Sequence, residues 1–118
     1  MTGPPTDPTC VFCRVVAGEL PATVVAETAT TLAFRDLAPA APVHVLVVPR
    51  QHHPDLAALS AADPVLLADL WAAAVGVARS EGLDGGYRLV VNTGADGGQT
   101  VFHVHVHVLG GGPVGALA

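Results

Sequence analysis

The chain has 118 residues, which suits one domain. Hydrophobic residues make up 51% and charged residues only 13%, so a core can form and apolar surface is left over for a partner copy. A net charge of -5 with five Lys plus Arg excludes the basic track that follows a nucleic-acid polymer, while a single phosphate held by a few neutral donors stays possible.

Residues 1–9 contain three prolines and no apolar run, so they read as a disordered tail and not as a signal peptide. No stretch reaches membrane-spanning length free of Pro, Gly and charge. No membrane association is therefore expected, and a cytoplasmic location is. In that setting Cys10-x-x-Cys13 reads as a dithiol or metal clip rather than a structural disulfide. Residues 10–20 form one or two helical turns closed by Pro21. Strands at 23–27 and 31–35 flank a turn at 28–30, as in a hairpin. Residues 36–42 carry two prolines and connect to a buried strand at 44–48. Ser60-Ala-Ala-Asp63 matches a capping box with Asp in place of Glu. Leu66, Leu67, Leu70, Trp71, Ala74, Val77 and Ala78 then recur at helical spacing, with Gly82 as the stop. A strand at 87–92, a glycine-rich loop at 93–99 and a strand at 100–109 complete the chain. The order predicts an α+β domain with an antiparallel sheet, one long helix and one short one.

The last strand alternates strictly. Phe102, Val104, Val106 and Val108 should face a core, and His103, His105 and His107 the opposite side. Imidazole is the side chain best suited to act as base, nucleophile or metal ligand near neutral pH. One metal held by all three is unfavourable. A rise of about 3.3 Å per residue separates the outer α-carbons by roughly 13 Å, whereas zinc takes nitrogens at about 2.1 Å. The alternative divides the labour. Cys10, Cys13, His52 and His103 would make a closed tetrahedral zinc site if the fold gathers them, with His53 able to replace His52. A reduced dithiol beside unrelated histidines is the competing reading. His44, His105 and His107 would face the loop from Asn92 to Thr100, whose backbone N–H groups can form an anion-binding nest. That loop lacks the Lys-Ser/Thr end of a Walker motif, and taken alone it reads as a flexible turn. Gln99 and Thr100 would be donors at its rim, and Asn92 would orient a histidine or bind phosphate.

The segment Gly97-Gly98-Gln99-Thr100-Val101-Phe102-His103-Val104-His105-Val106-His107-Val108-Leu109-Gly110-Gly111 resembles the signature of the histidine triad (HIT) family. Leu32-Ala33-Phe34-Arg35-Asp36-Leu37, the run from Ala41 to Pro49, and Tyr87-Arg88-Leu89-Val90-Val91-Asn92 are similar to its Hint branch in order and spacing. The resemblance places a HIT domain at 10–112, after the tail at 1–9 and before a short tail at 113–118. It implies a homodimer whose sheets join into one, and hydrolysis of purine nucleoside 5′-phosphoramidates through a nucleotidyl-histidine. It makes His105 the nucleophile, gives His44 and His107 the non-bridging oxygens, and sets Thr100 by the leaving amine. Asn92 and Gln99 would steady the loop, and Asp36 would accept the ribose hydroxyls. Val11, Phe12, Val15, Phe34 and Leu37 would hold the base. Cys10, Cys13, His52 and His103 match the positions of a structural Zn2+, which the chemistry does not need. There are two departures: Thr100 stands where Ser is usual, and its methyl would slow a crowded leaving group, while the C-terminus lacks the Trp-containing tail of the animal Hint proteins, which bears on substrate choice. Dinucleoside polyphosphate cleavage and a nucleotide- or zinc-binding regulatory module are the alternatives.

Overall fold

The computed structural model describes residues 6–114, so most of both predicted tails lies outside the described residues. Within the first tail, Thr9 donates to Asp7 Oδ1 from its N–H and its Oγ1 (2.9 and 2.7 Å), and the Cys10 N–H donates to the Asp7 carbonyl (3.0 Å). This turn leads into helix α1 (Val11–Val16), which Cys10 caps by accepting the Cys13 N–H on Sγ.

A hairpin of β1 (Val24–Glu27) and β2 (Thr31–Arg35) follows. Its turn is tied by Thr28 Oγ1, which accepts from the N–H groups of Thr30 and Thr31. Strand β3 (Val43–Pro49) leads to helices α2 (Leu56–Ala62) and α3 (Pro64–Ser80), then β4 (Tyr87–Val90) and β5 (Val106–Gly110). The five strands form one antiparallel sheet in the order β1-β2-β3-β5-β4, so the most apolar strand, β3, is central.

Period-two alternation gives this sheet two unlike faces. Ala33, Val45, Val47, Val106 and Val108 pack with Leu66, Leu70, Ala74, Val77 and Ala78 of α3 and Leu59 of α2. Leu32, Phe34, Leu46 and Val48 face the other way, where the six-residue α1 supplies Phe12. Two helices therefore cover one face, and the short helix covers part of the other. The site lies on that second face. Among the described residues no helix is long and apolar enough to cross a membrane.

The α+β architecture agrees with the sequence, and two local differences have clear causes. First, the long helix is preceded by a separate short one. Asp55 caps α2 by accepting the Ala58 N–H (2.8 Å), and Asp63 caps α3 by accepting the Leu66 N–H (3.0 Å). Ser60 thus sits inside α2 and is no cap. Pro64 at the first turn of α3 explains the break, since proline suits a helix start and disrupts an interior.

Second, the histidine strand is shorter than its alternation suggests. Pairing to β3 begins at Val106 opposite Val47, and pairing to β4 begins at His107 opposite Val90. Residues 101–105 stay off the ladder. The Val104 N–H goes to the His53 carbonyl (2.8 Å), and the Pro49 carbonyl is taken by the ring of His103 (2.8 Å). Proline has no N–H to return a ladder bond. The two-faced alternation still holds from His103 to Val108, but Phe102, expected in the core, is half exposed.

Candidate active site

The loop after β4 is built by its own side chains. A single 3-10 turn (Ala95–Gly97) lies between Gly94 and Gly98, whose φ angles of 75° and 89° favour glycine. Gln99 is buried and holds the loop at three points. Its Oε1 accepts the Gly94 N–H (2.9 Å), and its Nε2 donates to the carbonyls of Pro54 (2.7 Å) and Val101 (3.0 Å). Asn92 Nδ2 donates to the Gly97 carbonyl (2.7 Å). Gln99 is therefore a loop brace and not a rim donor. Thr100 is exposed, and with Val101, Phe102, Val11, Cys10, His52, Asp7 and Thr9 it lines a cavity of about 310 Å3.

Strand pairing gathers the histidines. His107 stands opposite Leu46 on β3, and His44 lies two residues away on the same face, opposite Leu109. Hydrogen-bond logic then fixes where the protons sit. His44 Nδ1 accepts the Ala40 N–H (3.0 Å), so a neutral His44 carries its proton on Nε2 and donates it to His107 Nδ1 (2.9 Å). That leaves the His107 proton on Nε2. Burial, foremost, with the neighbouring rings of His105 and His44, pushes His107 down to about 4, so it is neutral at pH 7. His44 thus stands behind His107, whereas the sequence expectation had both gripping phosphate oxygens.

His105 is buried, with its ring centroid 5.0 Å from that of His107. Its Nδ1–H donates to the carbonyl of His103 (2.8 Å), which leaves the lone pair on Nε2. Burial also lowers its pKa below the usual imidazole value. Phe12 meets the ring edge-on at 5.1 Å and 86°, and itself packs on Phe34. The result is a neutral imidazole with one nitrogen anchored and the other free to attack.

Asp36 closes the site at the end of β2. Its Oδ1 accepts the Ala38 N–H (2.7 Å), and its Oδ2 lies 3.4 Å from His44 Nε2. Asp36, His44 and His107 are close enough to hold a metal, but His44 Nε2 carries a proton as long as Nδ1 accepts from Ala40. A cation there would have to break that bond, so we read the cluster as a proton-ordered network. Beside it, Val11, Phe12, Val15, Phe34, Asp36 and Leu37 line a mainly apolar cavity of about 420 Å3, completed by Leu20, Pro21, Ala22, Arg35 and Leu46. Leu37 is 97% exposed and forms its rim. Leu46 was missed from sequence, although a two-residue step from His44 points to it. Pro21 and Ala22 carry no such signal.

A third group adjoins the second. Cys10 Sγ lies 3.4 Å from His103 Nδ1, Cys13 Sγ lies 3.4 Å from His52 Nδ1 and 3.5 Å from His103 Nδ1, and the two Nδ1 atoms are 3.3 Å apart. All four donor atoms lie within 4.8 Å of one another. Ligands at about 2.0–2.3 Å on a tetrahedron stand roughly 3.3–3.8 Å apart, so this donor set fits zinc in size and in chemistry. His103 is fully buried and donates Nε2–H to the Pro49 carbonyl, which leaves its Nδ1 lone pair aimed at the thiols. Burial, above all, pushes its pKa down to about 4. His53 turns to Gln51 instead (3.3 Å), so His52 is the residue that joins the cluster.

Comparison with known proteins bears out the fold. The HIT domain family model matches residues 17–114. An uncharacterized HIT-like protein of Synechococcus elongatus is 48% identical over 101 residues, which cover 86% of this chain and 89% of the relative. The crystal structure of a HIT family hydrolase from Legionella pneumophila superposes with a TM-score of 0.85 at 45% identity, over 89% of this chain and 95% of the other. A Zn-bound histidine triad family protein from Mycobacterium smegmatis superposes at 0.78 and 35% identity, over 86% and 74%. With its histidine row, its fold and these relatives in agreement, the chain belongs to the HIT domain family.

Proposed function

We propose that the protein hydrolyses purine nucleoside 5′-phosphoramidates through a nucleotidyl-histidine. The observation that carries this reading is His105, a neutral imidazole with Nδ1–H held by a carbonyl and Nε2 unprotonated beside a proton-ordered His44–His107 pair. His105 Nε2 attacks the α-phosphorus and the P–N bond to the amine breaks. The departing nitrogen gains a proton that the Thr100 hydroxyl relays from solvent water. The His107 Nε2–H donates to a non-bridging oxygen, where a preorganised donor in a dry site matters most as charge builds. Water then attacks phosphorus, the bond to His105 breaks, and the water's second proton restores the starting state. Nucleoside monophosphate and free amine are the products.

The base occupies the apolar cavity against Phe12, Phe34, Val11, Val15, Leu37 and Leu46, and Asp36 at its edge accepts the ribose hydroxyls. Asn92 and Gln99 hold the loop that carries Thr100. Cys10, Cys13, His52 and His103 hold a structural Zn2+. Four protein ligands leave no open position, so the ion supplies a cross-link and no Lewis-acid step. Support for it comes from the donor set itself and from the zinc named in the mycobacterial relative. The working unit is a homodimer with a continuous sheet.

The test is turnover of adenosine 5′-phosphoramidate and of a diadenosine polyphosphate by the wild type and by His105→Ala. Wild type should prefer the phosphoramidate, and the variant should lose at least about a thousandfold in kcat. Equal turnover by both proteins removes His105 from the mechanism. A preference for the dinucleotide moves the chain to the polyphosphate-cleaving alternative. Nucleotide binding with no turnover of either compound leaves a regulatory module.

A further inference from the structure

The Cys/His cluster and the nucleophile share a residue. The ring of His103 supplies one of the four clustered donor atoms, and its carbonyl receives the Nδ1–H of His105. No ladder bond holds that carbonyl in place, because residues 101–105 precede the first ladder pair. Its position depends on three anchors: the Val104 N–H to the His53 carbonyl, His103 Nε2–H to the Pro49 carbonyl, and His103 Nδ1 on the cluster.

A second contact runs from the same cluster. Phe12 lies between Cys10 and Cys13, and its ring packs edge-on against both His105 (5.1 Å) and His103 (6.1 Å). The helix that carries Phe12 has six residues, too few to be stable unaided. Phe12 packs with Leu32, Phe34, Leu46 and Val48, and the fastening of the two flanking cysteines sets the backbone that carries it. Besides the His107 ring, two contacts orient the His105 ring, a carbonyl and an aromatic edge, and both come from residues in or beside the cluster.

We propose that a thiophilic divalent cation on Cys10, Cys13, His52 and His103 positions the nucleophile. By locking the His103 carbonyl and Phe12, it fixes the orientation of the His105 ring and keeps its proton on Nδ1. His103 and Phe12 are positioning residues, and the attacking atom remains His105 Nε2. The inference takes the role of His105 from the reading above and adds what governs its readiness. The cavity beside Thr100 is lined in part by Cys10 and His52 and gives the cluster a route to solvent.

The test compares zinc-loaded protein, the same protein stripped by a chelator, and Cys10→Ser. Ring-nitrogen NMR reads the His105 tautomer directly, and backbone amide signals of α3 report whether the fold persists. Loaded protein should show one tautomer with the proton on Nδ1. Stripped protein should keep its α3 signals while His105 broadens or averages between tautomers. On adenosine 5′-phosphoramidate, kcat should fall about tenfold to a hundredfold on stripping, as a misplacement of about 1 Å can cause, with KM changed less than about twofold. Restoring zinc should restore wild type and not Cys10→Ser. Unchanged His105 signals in folded, metal-free protein overturn the proposal. So does a chain that takes up no zinc, or one that unfolds wholly on stripping, since the ion would then have no separate local role. Should the ring respond to zinc while no phosphoramidate is consumed, the coupling stands and the proposed activity falls.

Discussion

At the scale of single residues, the site depends on which nitrogen of each imidazole carries a proton, and backbone groups decide that. The Ala40 N–H fixes His44, His44 fixes His107, and the His103 carbonyl fixes His105. The histidines themselves are legible from sequence, because period two puts them on one face. Their backbone partners are not, since an N–H or a carbonyl leaves no mark in residue type. The relay makes a kinetic prediction. In His44→Ala, His107 loses the donor that keeps its proton on Nε2, so kcat should drop about a hundredfold, the scale of losing one preorganised donor. KM should change little, and His44→Asn, with its amide donor, should recover part of the loss in steady-state assays.

The burial that keeps the His105 and His107 rings neutral also sets a pH limit. His107 titrates near 6.5 in an unfolded chain and near 4 when folded. Its folded pKa is depressed, so below about 6.5 the unfolded state binds a proton that the folded state refuses. The stability this group contributes is whole above pH 6.5 and is lost as pH falls toward about 4. Urea unfolding at pH 7.5 and at 4.5 should show a steeper loss for wild type than for His107→Asn. Equal losses would place the acid sensitivity elsewhere.

At the scale of elements, alternation and helical spacing carried most of the architecture. The hairpin, the central strand and the long helix with its Gly82 stop lie where their patterns put them. What escaped was punctuation. A Ser-x-x-Asp run looks like one capping box, yet Pro64 turns Asp63 into the cap of a new helix and leaves Ser60 inside the previous one. The start of β5 was hidden for a related reason. Alternation outlasts the hydrogen bonds, because side-chain anchors hold 103–105 in an extended course off the ladder. Cap assignments can be checked by substitution. Asp63→Ala should cost about 1 kcal/mol, the usual value of a lost N-cap, whereas Ser60→Ala should be near neutral, since Ser60 is exposed in mid-helix. Thermal melts of the two variants separate these outcomes. The loop is equally specific: Gly98→Ala puts a side chain at φ +89°, with Asn92 3.5 Å from the new Cβ. It should cost about 1–2 kcal/mol.

At the scale of the whole molecule, the open question is what becomes of the sheet's second edge. Strand β4 ends the order β1-β2-β3-β5-β4 and pairs on one side, among the described residues, with β5. A sheet edge is a template for another strand, and this one is short, carries a half-exposed Tyr87 and ends a sheet with one face buried under α3. A chain that is 51% hydrophobic has apolar surface to spare for such pairing. If the homodimer forms here, sedimentation equilibrium at tens of micromolar should give twice the mass of one chain. The amides of β4 that make no bond to β5 should then be protected from hydrogen exchange at that concentration, and should lose protection on dilution while the amides of β3 keep theirs. A single-chain mass across that range, with the outer β4 amides exchanging freely throughout, would mean that the site is complete in one chain and that the edge stays open.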